Sequence, residues 1–286
     1  YASRMENLDI DSLWFTDRIV SPVFSLESVV AMSFVAACTE TLKIGTSVIA
    51  LPLRNPTILS KEIATIDYLS GGRCLPAVGL GAEAELEYEA CGSSKKNRVS
   101  RTEEAIEIMR LLWSEDNVTY HGKHFELNKV TVSPKPIQKN LPPIWLGGRS
   151  LAAMKRTAKI GDGWLVSGAT VDEIYDSVPK IKEMALEYDN HIEDDHYGVL
   201  FNYCIADTKT EAFNLAKPLL EIMGKNIFHA GELGCGNGAK ICNNMALGIS
   251  MIGASEALML AKRLNIDIKK VHEIMKSASG NSWPIS

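Results

Sequence analysis

The stretch from Pro143 to Trp164 constrains this chain more than any other. A short apolar run, Pro143-Ile144-Trp145-Leu146, meets Gly147-Gly148-Arg149-Ser150, and a helical segment then closes on Gly161-Asp162-Gly163-Trp164. An apolar strand that ends in paired glycines and enters a helix leaves backbone N–H groups free at the positive end of the helix dipole, where an anion can approach closely. The same residues are compatible with an ordinary strand-to-helix turn, because the pair matches neither the P-loop nor the dinucleotide fingerprint.

A chain of 286 residues, 46% hydrophobic and 23% charged, can bury a substantial core as one large domain or two smaller ones. The net charge of -5, the pI near 5.8 and the scattered Lys and Arg argue against nucleic acid as a partner, so a phosphate ligand would be held locally. No stretch approaches the length of a membrane span. Cys38, Cys74, Cys91, Cys204, Cys235 and Cys242 lie in or beside apolar runs without CxxC or zinc-type spacing, which predicts buried free thiols in a reducing cytoplasm. His121 and His124 lack a third ligand nearby, and a hairpin turn explains them better than a metal. The sequence opens at Tyr1 rather than a methionine and is expected to lack its true start.

In chain order, a helical opening leads into a buried strand at Ile10 to Phe15, a helix at Ser28 to Cys38 and a strand at Leu42 to Leu51. A helix follows from Pro56 to Leu69, stopped by Ser70-Gly71-Gly72, and then a strand from Cys74 to Gly81. This alternation predicts right-handed parallel units with ligands at the C-terminal strand ends, in a barrel or an open doubly wound sheet. Residues 82 to 142 interrupt it with an acidic helix (Glu83 to Ala90), a basic loop (Lys95 to Arg101), an amphipathic helix (Thr102 to Trp113) and a turn at Tyr120 to Phe125; an insertion of this kind shapes a substrate entrance. Strand, helix and strand return at Asp162 to Ser167, Val171 to Tyr188 and Tyr197 to Ala206. From Thr210 the pattern is a helix to Met223, a short strand at Asn226 to His229, a glycine-rich turn at Gly231 to Gly238 and a long helix from Ala239 to about Leu264. Its methionine stripe (Met245, Met251, Met259) predicts core packing.

Several stretches, in this order, resemble the luciferase-like monooxygenase family of flavin and deazaflavin oxidoreductases: DSLWFTDR (Asp11 to Arg18), LKIGTSVIALPLRNP (Leu42 to Pro56), IDYLSGGR (Ile66 to Arg73), VGLG (Val78 to Gly81), EYEACG (Glu87 to Gly92), SPKPIQKNLPPIWLGGRS (Ser133 to Ser150) and GDGW (Gly161 to Trp164). The resemblance covers residues 1–206 and implies an α/β fold, a (β/α)8 TIM barrel of the luciferase-like type. By this resemblance Gly147, Gly148 and Arg149 would bind the phosphate of FMN or the phosphodiester of the deazaflavin (coenzyme F-420). Ser47-Val48 matches the place where the family often carries a non-prolyl cis peptide against the cofactor ring, with an ordinary trans strand as the alternative. Asp17 stands at a strand end where the family places polar groups facing the ring, the position from which it would act in catalysis; capping the next helix is the other role open to it. Arg18 replaces a histidine that many relatives carry, and Ala82, with Glu83 one residue late, stands where sugar-phosphate dehydrogenase relatives have a glutamate. These departures argue against that subgroup.

Residues 207–286 are similar to something else. AKPLLEIMGKNIFHAGELGCGNGAKICNNMALGISMIGASEALMLAKRL (Ala216 to Leu264) resembles the C-terminal half of 3-hydroxyisobutyrate dehydrogenase, a helical part of a 6-phosphogluconate dehydrogenase-like domain. Lys240 and Asn244 correspond to the lysine and asparagine that are catalytic there, with NAD as cofactor. Spaced i and i+4 they share a helix face, yet no G-x-G-x-x-G follows a strand anywhere in the chain.

The reading is therefore an incomplete barrel lacking its first and last strands, joined to a borrowed helical segment as a natural fusion, an engineered chimera or a misjoined gene. Lys225 to His229 is expected to take the eighth strand position. The expected activity is hydride transfer between reduced flavin or deazaflavin and a small-molecule organic substrate. The alternatives are a hydroxyisobutyrate dehydrogenase-like NAD enzyme fragment and a non-catalytic scaffold, and the apolar helices allow a homodimer.

Overall fold

A computed structural model describes residues 1–82, 84–201, 203–223 and 235–277. The chain divides into two compact units, Tyr1–Asn202 and Tyr203–Ser286. After a short helix α1 (Ala2–Glu6), the first unit alternates strand and helix: β1 (Ser12–Phe15), α2 (Ser28–Cys38), β2 (Lys43–Thr46) continued as β3 (Ile49–Ala50), α3 (Pro56–Ser70), and β4 (Cys74–Leu75) continued as β5 (Ala77–Gly79). Helices α4 (Glu85–Ala90) and α5 (Arg98–Ser114) and the hairpin β6 (Val118–His121) and β7 (Glu126–Val130) follow. The alternation resumes with β8 (Trp145–Gly147), α6 (Leu151–Ile160), β9 (Gly163–Ser167), α7 (Val171–Glu187) and β10 (Tyr197–Leu200). The second unit holds α8 (Lys209–Met223), α9 (Cys235–Arg263) and α10 (Ile268–Ser277).

Strand β1 pairs with β2 and β2 with β4, while β3, β5, β8, β9 and β10 pair in that order, every pair parallel. Strands β2–β3 and β4–β5 are each one strand interrupted, at Ser47-Val48 and at Pro76, so the two ladders join into consecutive strand positions in chain order. Parallel positions that each return through a helix make an arc of a (β/α)8 barrel. Among the described residues β1 and β10 each pair on one side only. The arc is open at β1 and at β10 among the described residues, and Lys225 to His229, the segment expected to take the eighth strand position, lies outside them.

Local chemistry sets the helix ends. Asn55 caps α3 by accepting the N–H groups of Thr57 and Ile58, Pro56 occupies the first turn, and Gly71 takes the left-handed conformation (φ +74) past the last turn. Thr170 and Glu173 form a reciprocal capping box on α7. Leu42, Ile44, Ile49, Leu59, Ile63 and Ile106 are buried in the main core between the strands and α2, α3 and α5. Each such side chain contributes about 1.5–3 kcal/mol on burial.

Several boundaries differ from expectation. Strand β1 is half-buried rather than buried, and Ile10 is exposed, because β1 has a partner on one edge only. Helix α5 begins at Arg98, so the second half of the expected basic loop is its first turn. Strand β10 stops at Leu200: Phe201, Tyr203 and Ile205 continue the apolar alternation but are exposed, and alternation without a surface to cover does not make a strand. Cys235 to Gly238 belong to α9 rather than to a turn. Met245, Met251 and Met259 are exposed, so the stripe is not a core. Of the cysteines, Cys74 is buried, whereas Cys38, Cys204 and Cys242 are exposed. Among the described residues no helix is long and apolar enough to cross a membrane.

Candidate functional site

The cradle is built from the end of β8 and the start of α6. Ser150 caps α6: its Oγ accepts the Ala153 N–H at 3.2 Å and its carbonyl accepts the Met154 N–H at 2.9 Å. The N–H groups of Leu151 and Ala152 belong to the first turn, which the helix cannot satisfy itself. Gly148 has φ +124, and a Cβ there would lie 2.7 Å from the Ala153 Cβ, so glycine is required for the chain to turn this closely over the helix. Trp164 Nε1 donates to the Gly148 carbonyl at 2.9 Å and holds that oxygen away from the helix start.

A cavity of about 580 Å3 opens at this C-terminal face of the strands. Gly147, Gly148, Arg149, Ser47, Val48 and Asp17 all line it, so residues far apart in sequence converge on one space. The Ser47–Val48 peptide is cis. The Val48 side chain is wedged between two strands that had to be glycine beside it: a Cβ on Gly79 would lie 2.6 Å from Val48 Cγ2, and one on Gly147 3.3 Å from Cγ1. The cavity thus combines a closely packed wall at Val48 with the open first turn of α6.

Asp17 lines the cavity, but its carboxylate is fully committed. Oδ1 accepts from the Ser28 hydroxyl (3.1 Å) and Arg54 Nη2 (2.6 Å), and Oδ2 accepts from the Ala50 N–H (3.1 Å) and Arg54 Nε (3.3 Å). Burial works against the Arg54 charge, but Asp17 and Glu27 outweigh it and hold its pKa above the usual value. A carboxylate with four donors anchors the loop rather than waiting for a substrate proton. The capping alternative is also not what is seen, because Glu27 caps α2 by accepting the Val30 N–H at 2.7 Å. Arg18 turns toward the buried Glu87, at 3.4 Å.

Sequence reasoning missed two cations. Arg98 and Arg156 line the same cavity beside Arg149. Arg156 is nine-tenths buried and lies 3.2 Å from Glu103; Arg149 is more exposed, donates to the Gly168 carbonyl at 2.9 Å and lies 3.9 Å from Glu173. The Thr170 N–H, with Arg149 a weaker contributor, holds the Glu173 carboxyl below its usual range. The available signal was periodicity: Ala152, Ala153 and Arg156 share the face of α6 nearest its start. Arg98 was hidden because it was read as loop.

The other predicted residues fall elsewhere. The side chains of Lys240 and Asn244 lie outside the described residues, as does Glu83. His124 Nε2 meets the Ser100 hydroxyl at 2.8 Å and His121 lies 3.5 Å from Glu126. Among the described residues no group of three or more His, Cys, Asp or Glu side chains could hold a metal ion. A larger cavity, about 970 Å3, reaches from the strand starts, where Trp14, Trp145, Asp162 and His196 line it, and shares Ser47, Leu165 and Leu200 with the first. The Gly147-Gly148 turn and the start of α6 line the first, at the C-terminal strand ends where parallel α/β barrels place chemistry.

Residues 1–247 match the family model described as luciferase-like monooxygenase. Residues 234–286 match a second model, the NAD-binding domain of NADP-dependent 3-hydroxyisobutyrate dehydrogenase. The chain is 31% identical over 189 residues to the FMNH(2)-dependent dimethylsulfone monooxygenase of Pseudomonas putida, covering 65% of this chain and 51% of that protein. It is 51% identical over 76 residues to the 3-hydroxyisobutyrate dehydrogenase of Pseudomonas aeruginosa, covering 27% of this chain and 26% of that one. Among solved structures, an F420-dependent secondary alcohol dehydrogenase in complex with an F420-acetone adduct superposes with a TM-score of 0.67 at 26% identity, over 76% of this chain and 67% of the other. The chain spans about half the length of the luciferase-like relatives it matches. With the strand-to-helix cradle, the parallel arc and the family match all falling in the same residues, the chain belongs to the luciferase-like monooxygenase family.

Proposed function

We propose that this chain is a flavin- or deazaflavin-dependent oxidoreductase that transfers hydride between the reduced cofactor ring and a small organic substrate. The observation that carries this is the single cavity lined by Ser47, Val48 and Asp17 together with the Gly147-Gly148 turn, the α6 N-terminus, Arg98, Arg149 and Arg156. The shape and donors of the cavity fit a planar ring joined to a phosphate: rigid backbone and Val48 offer a flat apolar wall, and free amides with guanidinium groups suit an anion.

When bound, such a ring supplies two-electron chemistry that amino-acid side chains lack. The chain's own residues would do the rest. Leu151 and Ala152 N–H groups and Arg149, Arg98 and Arg156 would hold the phosphate. Val48, Gly79 and Gly147 would bound the ring and keep water from that face. Asp17 would keep Ala50 in place rather than move a proton. Relatives named for FMNH(2) and for F420 support either cofactor equally.

Titration with FMN and with the deazaflavin cofactor, followed by fluorescence and visible absorbance, tests the reading. Saturable binding of one of them, lost when Gly148 is replaced, is the expected result; no binding of either would overturn it. The C-terminal match favours a second reading, an NAD-dependent dehydrogenase fragment that uses Lys240 and Asn244. Binding of NAD or NADP together with hydroxyacid oxidation that Lys240→Ala abolishes, flavin binding being intact, would establish that alternative.

A further inference from the structure

Arg54 does not line the cavity, yet the residues that form its ring end depend on it. Arg54 follows the turn after β3, and its guanidinium reaches two carboxylates: Nη2 donates to Asp17 Oδ1 and to Glu27 Oε1, each at 2.6 Å, while Nε donates to Asp17 Oδ2 at 3.3 Å. Asp17 passes the contact on to the Ala50 N–H and the Ser28 hydroxyl, and Glu27 caps α2. One guanidinium therefore ties together the end of β1, the start of α2 and the end of β3. The Arg54 and Asp17 side chains are 14% and 1% exposed, so solvent screens the pair weakly. Only a planar fork with several donors can serve both carboxylates from one position.

Ala50 lies two residues after Val48. Its N–H is held by Asp17 on one side of the segment, and on the other Thr46 Oγ1 donates to the Ala77 carbonyl at 2.7 Å. These two anchors flank Ser47 and Val48, the wall against which a ring would lie. By contrast, the phosphate end rests on α6, whose first turn is capped by the Ser150 Oγ accepting the Ala153 N–H.

We propose that Arg54 is a positioning residue for the cofactor ring: through Asp17 and the Ala50 N–H it sets the Ser47-Val48 wall of the cavity. This rests on the reading of the cavity as a flavin or deazaflavin site. The Arg54 bonds run to Asp17 and Glu27, whereas the start of α6 is capped by Ser150, so a change at Arg54 acts first on ring binding.

The test titrates the full chain and its Arg54→Met and Arg54→Lys variants with FMN and with riboflavin, which has the same ring without the phosphate. Fluorescence gives the affinities, absorbance reports the surroundings of the bound ring, and thermal unfolding reports the fold. Arg54→Met is expected to weaken both ligands by the same factor, about tenfold, and to shift the absorbance of the bound ring. Arg54→Lys recovers part of the loss, because its ammonium keeps a charge beside Asp17 but lacks the fork. Arg149→Met, at the other end, weakens FMN and spares riboflavin. Wild-type affinity for both ligands with unshifted absorbance in folded Arg54 variants overturns the assignment. If Arg54→Met does not fold, Arg54→Lys decides alone by the same criterion. A wild-type chain that binds none of FMN, riboflavin and 5-deazariboflavin overturns the cofactor reading itself, and this assignment with it.

Discussion

Trp164 donates its indole N–H to the carbonyl of Gly148 across 2.9 Å, so the last residue of the 143–164 stretch fixes the turn in its middle. The same stretch is tied at its start, where Asp162 Oδ2 accepts the Ile144 N–H at 2.8 Å and the Asp162 N–H donates to the Ile144 carbonyl at 2.9 Å. The turn proposed to hold the anion is therefore braced within one strand, turn, helix and strand.

Replacing Trp164 by Phe keeps most of the buried ring and removes the donor. The Gly148 carbonyl, at an exposed turn, then loses this partner, which costs about 0.5–1.5 kcal/mol. Urea unfolding of Trp164→Phe should show that loss, with FMN affinity falling in the same variant because the turn is free to rotate. Full stability with full affinity would mean the indole bond does not set the turn.

Gly148→Ala acts on the same turn from the backbone. At φ +124 an L-residue is strained by about 1–3 kcal/mol, and the added Cβ would stand 2.7 Å from the Ala153 Cβ. The α6 start is expected to shift, so FMN binding should fall more than riboflavin binding. Equal losses for the two ligands would separate the turn from the phosphate.

Acid stability reports on a different part of the unit. The Glu6 carboxylate accepts the N–H groups of Glu40, Thr41 and Leu42 and the Thr41 hydroxyl, and these bonds, those of Thr41 and Leu42 foremost, lower its pKa to about 2. A folded pKa below the unfolded value means the stabilisation is complete above the ordinary glutamate range and is lost as pH falls toward 2. The melting temperature of the wild type should therefore drop more steeply between pH 5 and 2 than that of Glu6→Gln, which lacks the titrating group. Parallel pH curves for the two proteins would contradict this.

Where structure depends on neighbours in sequence, the sequence carried it openly. Asn55-Pro56 and Gly71 bracket α3, and Gly147-Gly148 before Ser150 marks the cradle, because caps and left-handed turns need particular side chains at particular positions. What it did not carry depends on residues far apart. Asp17 reads as a free carboxylate until Arg54, 37 positions on, is found against it. Arg156 looks like any surface arginine until α6 turns it into the cavity beside Arg98. The extent of β10 likewise follows from the absence of a second strand beside it among the described residues, and no pattern within Tyr197 to Ala206 records that.

Arg156 and Glu103 allow a test by sign rather than size. Their side chains lie 3.2 Å apart, with Arg156 nine-tenths buried and Glu103 half-exposed, so the carboxylate offsets part of the cationic field that reaches the cavity. Arg156→Leu removes a guanidinium from the phosphate end and leaves Glu103 able to turn into water, so FMN binding should weaken by about tenfold with little change in stability. Glu103→Gln removes only the competing negative charge; the guanidinium then faces the anion unopposed, and FMN binding should tighten, most visibly at low salt. Riboflavin, without a phosphate, should respond to neither. Changes of the same sign in the two variants, or matched changes with riboflavin, would show that Arg156 acts on the fold of α5 against α6 and not on the anion.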